Sequence, residues 1–235
     1  MDDLIFAEVA ALEKRLGLVE GFYDQLVKND DWSFVVKLNA LFEAACTQAL
    51  IVRLSCPELT DNLAHLDFAD NKKGKVRLCF NIGIINDEQR LALNELAELR
   101  NSLVHKIENV DFSFDKYVRG LSEGKKTTLV KRWGWSFSDT LSFHGTTVSK
   151  TSFIFENLKT VIWLTCADIL ACLHVEFENA IWRERLRDMA GYHAICAVDR
   201  KAAADVKAPS VNQVEEAENF PSGLLGRFLK MGGNV

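Results

Sequence analysis

Apolar residues recur three and four positions apart along almost the whole of this chain, and only three prolines interrupt its 235 residues. That spacing is the period of helices that bury one face, while the alternation expected of half-buried strands is scarce. The chain is therefore predicted to be all-α. Helices are expected at about 3–28 with a break near Gly17, and at 31–55, 58–66, 71–82, 87–107, 147–186 and 188–204. Asp87 is positioned to cap the 87–107 helix without a capping box, since Arg90 stands three residues on, and Asp70-Asn71 opens the preceding helix in the same way. Between Gly120 and Gly145 the pattern loosens, and the stretch KRWGWSFSDTLSFHGTT reads as a β-hairpin or an ordered insertion.

With 48% hydrophobic residues, a chain of this length can bury one sizeable core. Residues 1–200 are expected to form one helical domain. From about 201 the composition turns to Ala, Pro, Ser and Glu, a linker that closes in the amphipathic PSGLLGRFLK. Residues 203–220 are expected to be flexible, and Leu224, Leu225, Phe228 and Leu229 to dock as a short helix.

The formal net charge of −5 argues against a generally basic nucleic-acid binder, so any RNA contact must come from a local patch. Six cysteines form no C-x-x-C pair and read as reduced thiols, which points to the cytoplasm. The opening MDDLIFAEV is acidic where a signal peptide would be basic. The apolar run Thr160 to Val175 is too short to cross a bilayer and carries Asp168, so it reads as a buried helix and no membrane partner is expected.

The most specific stretch is Leu99-Arg100-Asn101-Ser102-Leu103-Val104-His105 on the 87–107 helix. At about 100° per residue, Leu93, Leu96, Ala97, Leu99, Leu103, Val104 and Ile107 form one apolar arc. Asn94, Glu98, Asn101 and His105 form a polar stripe nearly opposite, where the Asn101 amide is placed to orient the imidazole one turn on. A histidine moves a proton near neutral pH and an arginine holds a phosphate whose charge grows in the transition state, so such a set can cleave RNA without a metal. Arg100 projects into the apolar arc and needs a partner. Glu43 shares the stripe of Val36, Ala40, Cys46, Leu50 and Leu54 on the 31–55 helix, so the two are expected to pair and to be mostly buried. A structural pair and a catalytic one remain open at this point. Glu98, two turns before His105, either raises the histidine pKa or repels RNA.

The segment Ala97-Glu98-Leu99-Arg100-Asn101-Ser102-Leu103-Val104-His105 resembles the signature of HEPN domains, all-α modules whose motif is Arg, usually a polar residue, three variable residues and His. In that family the motif helices of two subunits often meet at a dimer interface that forms a metal-independent endoribonuclease site. The resemblance implies Arg100 and His105 as catalytic residues, Asn101 as the supporting polar residue, a homodimer, RNA as substrate, no cofactor, and a role as a toxin or antiphage-defence component with an antitoxin or regulatory partner. Some HEPN toxins carry Tyr two residues after the His, where a partner nucleotidyltransferase modifies it. Ile107 stands there, so neutralisation by that route is not expected. Residues from about Gly74 to Phe114 also resemble the mannitol operon repressor family, which implies the alternative of a non-catalytic regulatory or interaction module. The two resemblances cover residues 30–118 at most.

Lys72, Lys73, Lys75 and Arg77 form the densest basic run and are candidate RNA-backbone contacts, the alternative being a solvated helix start. Lys125, Lys126, Lys131 and Arg132 combine with Trp133 and Trp135 as a second cluster, for which core packing of the two indoles is the preferred reading. His174-x-Glu176 lacks the P-C-x-x-C of zinc deaminases, and His193-x-x-Cys196 offers only two ligands, so no metal site is expected. His65 and His144 stand alone.

Overall fold

A computed structural model describes residues 2–105, 107–143 and 146–205, and it is helical apart from one small hairpin. The chain divides into two units at Glu184 and Arg185. In the first, α1 (Asp2–Arg15) and the short α2 (Phe22–Leu26) are separated by Gly17 and Gly21, both at positive φ, where a side chain would be strained. The expected break near Gly17 is there. The buried Glu13 carboxylate accepts the backbone N–H groups of Gly21 and Tyr23 at 3.1 and 2.5 Å and so closes the turn.

The central element is α3 (Asp31–Leu54), which buries Phe34, Val35, Leu38, Leu41, Phe42, Ala45, Cys46, Ala49 and Leu50 around most of its circumference. A helix apolar on nearly all sides belongs in the middle of a bundle. Asp30 caps it by accepting from Ser33 N at 2.8 Å, and Ser55 ends it in the left-handed region. A 3-10 turn (Pro57–Leu59) leads into α4 (Thr60–Ala64), and after an irregular segment come α5 (Lys75–Asn81) and α6 (Asp87–Val104), both packed on α3. The cap of α6 differs from the expected one. Asn86, not Asp87, is the N-cap, and it forms a reciprocal capping box with Gln89. Asp70 likewise does not open α5; its carboxylate takes the N–H groups of Lys72 and Lys73 in the turn before, and α5 starts four residues later than read.

After a 3-10 turn (Ile107–Asp111), two helices that the spacing did not reveal follow, α7 (Phe114–Gly120) and α8 (Glu123–Trp133). The hairpin is β1 (Thr140–Phe143) paired antiparallel with β2 (Thr146–Ser149), at the end of the stretch expected to hold it and just beyond. A short α9 (Lys150–Glu156) precedes α10 (Leu158–Asp205), so the expected 147–186 helix is divided at Asn157 and the expected 188–204 helix is its unbroken continuation. Within the first unit α10 buries Val161, Ile162, Cys166, Ile169, Leu170, Leu173 and Phe177. Trp163 stacks on Phe6 and Tyr23, and Thr165 Oγ1 donates to the Trp133 carbonyl at 3.0 Å. The second unit, as far as Asp205, is helical and exposes Leu186, Met189, Tyr192 and Ile195. Contrary to the expected linker start at about 201, α10 continues to Asp205; the rest of the expected flexible segment and the amphipathic terminus lie outside the described residues.

Among the described residues, two helices, Asp31–Leu54 and the Leu158–Tyr192 part of α10, are long and apolar enough to cross a bilayer. Length therefore does not exclude a span at Thr160 to Val175, as the sequence had suggested. In both helices more than half of the apolar window is buried inside the protein. All six cysteines are free thiols, with Cys46, Cys79 and Cys166 in the core.

Gly74 shows how tightly the segment before α5 is wound. A Cβ there would stand 2.4 Å from the Asp70 backbone nitrogen and 2.6 Å from its carbonyl oxygen, neither of which a side-chain rotation can move. Gly74→Ala is expected to lower stability by about 2 kcal/mol, read from the urea midpoint. Gly124→Ala, in α8 with open space around its Cβ, is expected to raise it by about 0.5 kcal/mol.

Candidate functional site

The motif helix α6 turns Leu93, Leu96, Ala97, Leu99 and Leu103 into the core, as its spacing requires. Val104, assigned to the same arc, is 36% exposed because the helix ends there. The polar stripe faces outward: Glu98, Asn101 and His105 are exposed and Asn94 is half-buried. His105 is the C-cap, its N–H directed at the Asn101 carbonyl at 3.4 Å, so its imidazole sits at the rim of the last turn.

The expected Arg100–Glu43 pair does not form. Arg100 is half-buried and its Nη1 donates to Asn101 Oδ1 at 3.0 Å. Its long stem lets the guanidinium leave the apolar arc, so the charge needs no buried partner. Glu43 instead accepts from Lys75 Nζ at 3.0 Å, and the same ammonium donates to the Ala64 carbonyl at 3.0 Å. Lys75, read as a candidate RNA contact, is only 2% exposed and is thereby withdrawn from any such surface. Asn101 Oδ1 accepts from Arg100, and among the described residues no hydrogen bond joins the Asn101 side chain to the imidazole it was expected to orient. Lys72 and Lys73 are exposed, and Arg77 is half-buried with its guanidinium 5.3 Å from the centre of the Phe80 ring. In the second basic cluster, Trp133 is buried and Trp135 packs against the core, which agrees with the structural reading.

Beside the motif lies a half-open cavity of about 600 Å³, walled by α3, α6 and the segment 64–71. Arg100, Asn101, Glu98 and Asn94 line it from α6, Asn39 and Glu43 from α3. The Asn94 amide donates to Asn71 Oδ1 at 3.3 Å and links α6 to the segment opposite. His65, a lone histidine in the sequence, is at this wall, whereas His105 is not. The sequence carried no signal for this, because the 64–71 segment is irregular and its residues share no periodicity with α6. Among the described residues, no three His, Cys, Asp or Glu side chains are gathered to hold a metal ion.

On the flank of α6 away from the cavity, Glu95 is half-buried. Burial pushes its carboxyl above the ordinary glutamate value of 4.5, the Glu98 charge adds to that, and Arg132 and Lys125 oppose it. A carboxyl whose pKa is raised by folding binds its proton more tightly in the native state, so its contribution weakens as pH rises from the unfolded to the folded pKa. Glu95→Gln is therefore expected to be more stable than wild type at neutral pH. The advantage should disappear below the unfolded pKa, which thermal melts across pH would show.

No protein-family model, curated protein or solved structure matches this chain.

Proposed function

We propose that this protein is a metal-independent endoribonuclease of HEPN type, acting as a homodimer in a toxin or antiphage-defence setting. The observation that carries the reading is the end of α6. Arg100 and Asn101 are bonded to each other and open to a cavity, and His105 is exposed on the same stripe as Asn101 at the helix terminus. In this reading His105 takes the proton from the 2′-hydroxyl or gives one to the leaving oxygen, and Arg100 stabilises the charge that grows on the phosphorane. Arg100 and His105 are five positions apart, about 140° around the helix. A second copy of α6 facing the first brings the Arg of one subunit toward the His of the other. Lys72 and Lys73 remain to hold the backbone.

The test is purified protein on total RNA in the presence of EDTA. Cleavage that persists and leaves 2′,3′-cyclic phosphate ends supports the proposal, and intact RNA under every divalent-ion condition overturns it. One observation favours the second reading, a non-catalytic regulatory or interaction module: the wall beside Arg100 is rich in carboxylates, which repel a phosphate backbone.

A further inference from the structure

The cavity beside α6 has a chemistry that the nuclease reading leaves unused. Four carboxylates line it, those of Glu43, Asp67, Asp70 and Glu98, against one guanidinium, that of Arg100. Two of the four are occupied, Glu43 by Lys75 and Asp70 by the Lys72 and Lys73 amides. The Asp67 and Glu98 side chains make no hydrogen bond or ion pair among the described residues.

An acidic wall alone is ordinary surface, but a second observation points inward. Asn39, on α3 and only 5% exposed, lines the same cavity, and its Oδ1 is buried with no hydrogen-bond partner. A buried acceptor without a donor costs free energy that a bound N–H group recovers. The buried unmet group is thus an acceptor, and so are the two free carboxylates, while the Arg100 guanidinium is turned to Asn101. The carboxylates do not form a metal shell, so the complementary ligand is an organic cation with several N–H groups.

We propose that this cavity binds an alkylguanidinium group, its planar fork shared between the Glu98 and Asp67 carboxylates and Asn39 Oδ1, and its stem lying against Ala97. A guanidinium suits the site better than an ammonium because it presents five donors in one plane and is more weakly hydrated. The group comes either from a free small molecule or from an arginine side chain of a peptide. Nothing in this assignment depends on RNA cleavage, since Arg100 and Asn101 serve only as wall.

The experiment is isothermal titration of the full-length protein with agmatine and, separately, with N-acetyl-arginine amide. The citrulline analogue is the neutral control of equal shape, and thermal melts accompany each titration. Saturable one-to-one binding of either guanidine is expected, with the citrulline analogue at least tenfold weaker and a rise in Tm at saturation. Agmatine alone binding identifies a free ligand, and equal binding of the amide identifies a peptide arginine; both support the assignment. Glu98→Gln, an exposed substitution that leaves the core untouched, is expected to weaken binding about tenfold. Asn39→Ala should weaken it further if the variant retains its helical circular dichroism. Absence of saturable binding of both guanidines up to about 10 mM, equal binding of the citrulline analogue, or unchanged affinity in Glu98→Gln overturns the proposal. Preferential binding of guanosine monophosphate would also overturn it and mark a nucleobase pocket instead.

Discussion

His105→Ala is expected to lower RNA cleavage by about 10²- to 10⁴-fold, the usual contribution of a positioned acid or base, while the melting temperature stays where it is. The second half follows from placement. The imidazole is exposed at the last turn of α6 and buries nothing that its removal would uncover. Arg100→Ala is expected to cost about 10²- to 10³-fold in rate, the scale of a lost oxyanion donor. Its stability effect should be small, because among the described residues the guanidinium bonds only to the exposed Asn101 and not to a buried carboxylate. Arg100→Lys should not restore the rate, since a point charge cannot reproduce the planar fork. Cleavage assays with unfolding curves of the same preparations separate the two effects. Retention of full activity by His105→Ala would transfer the protein to the regulatory reading.

Much of the fold was legible because periodicity reports which face of a helix is buried. The central α3 and the core face of α6 follow directly from their apolar spacing, and α3 begins and ends within a residue of the expected bounds. The helices α7 and α8 were missed because Gly120, Gly124 and the Thr127-Thr128 pair weaken local propensity, while their burial rests on a few residues such as Phe114, Val118, Leu129 and Trp133. Pairing was the least legible feature. A helical projection assigns Arg100 and Glu43 to compatible stripes, but it holds no information on height along the bundle or on a third element. Lys75 enters from α5 and reaches Glu43. The basic run looked uniform because charge was read without geometry: Lys72 and Lys73 belong to a solvated turn, whereas Lys75 opens α5 and points inward.

Glu43→Ala is expected to destabilise the protein by about 2 kcal/mol, for a reason that rests on Lys75 rather than Arg100. Removing the carboxylate leaves an ammonium 2% exposed with the Ala64 carbonyl as its remaining partner. Breaking a fully buried pair costs about 3–5 kcal/mol, but 43% of the Glu43 side chain is exposed, so water enters the gap and reduces the loss. Lys75→Met is the informative counterpart. It deletes the charge that needs pairing, keeps a flexible apolar stem of similar length between α3 and α5, and leaves Glu43 hydrated, so stability should stay within about 1 kcal/mol of wild type. The double variant should then be more stable than Glu43→Ala alone, with a coupling energy of about 1–2 kcal/mol in a double-mutant cycle followed by urea denaturation. Arg100→Met should give no such rescue of Glu43→Ala. If it did, and Lys75→Met did not, the ion pair that anchors α5 to α3 would be wrongly assigned.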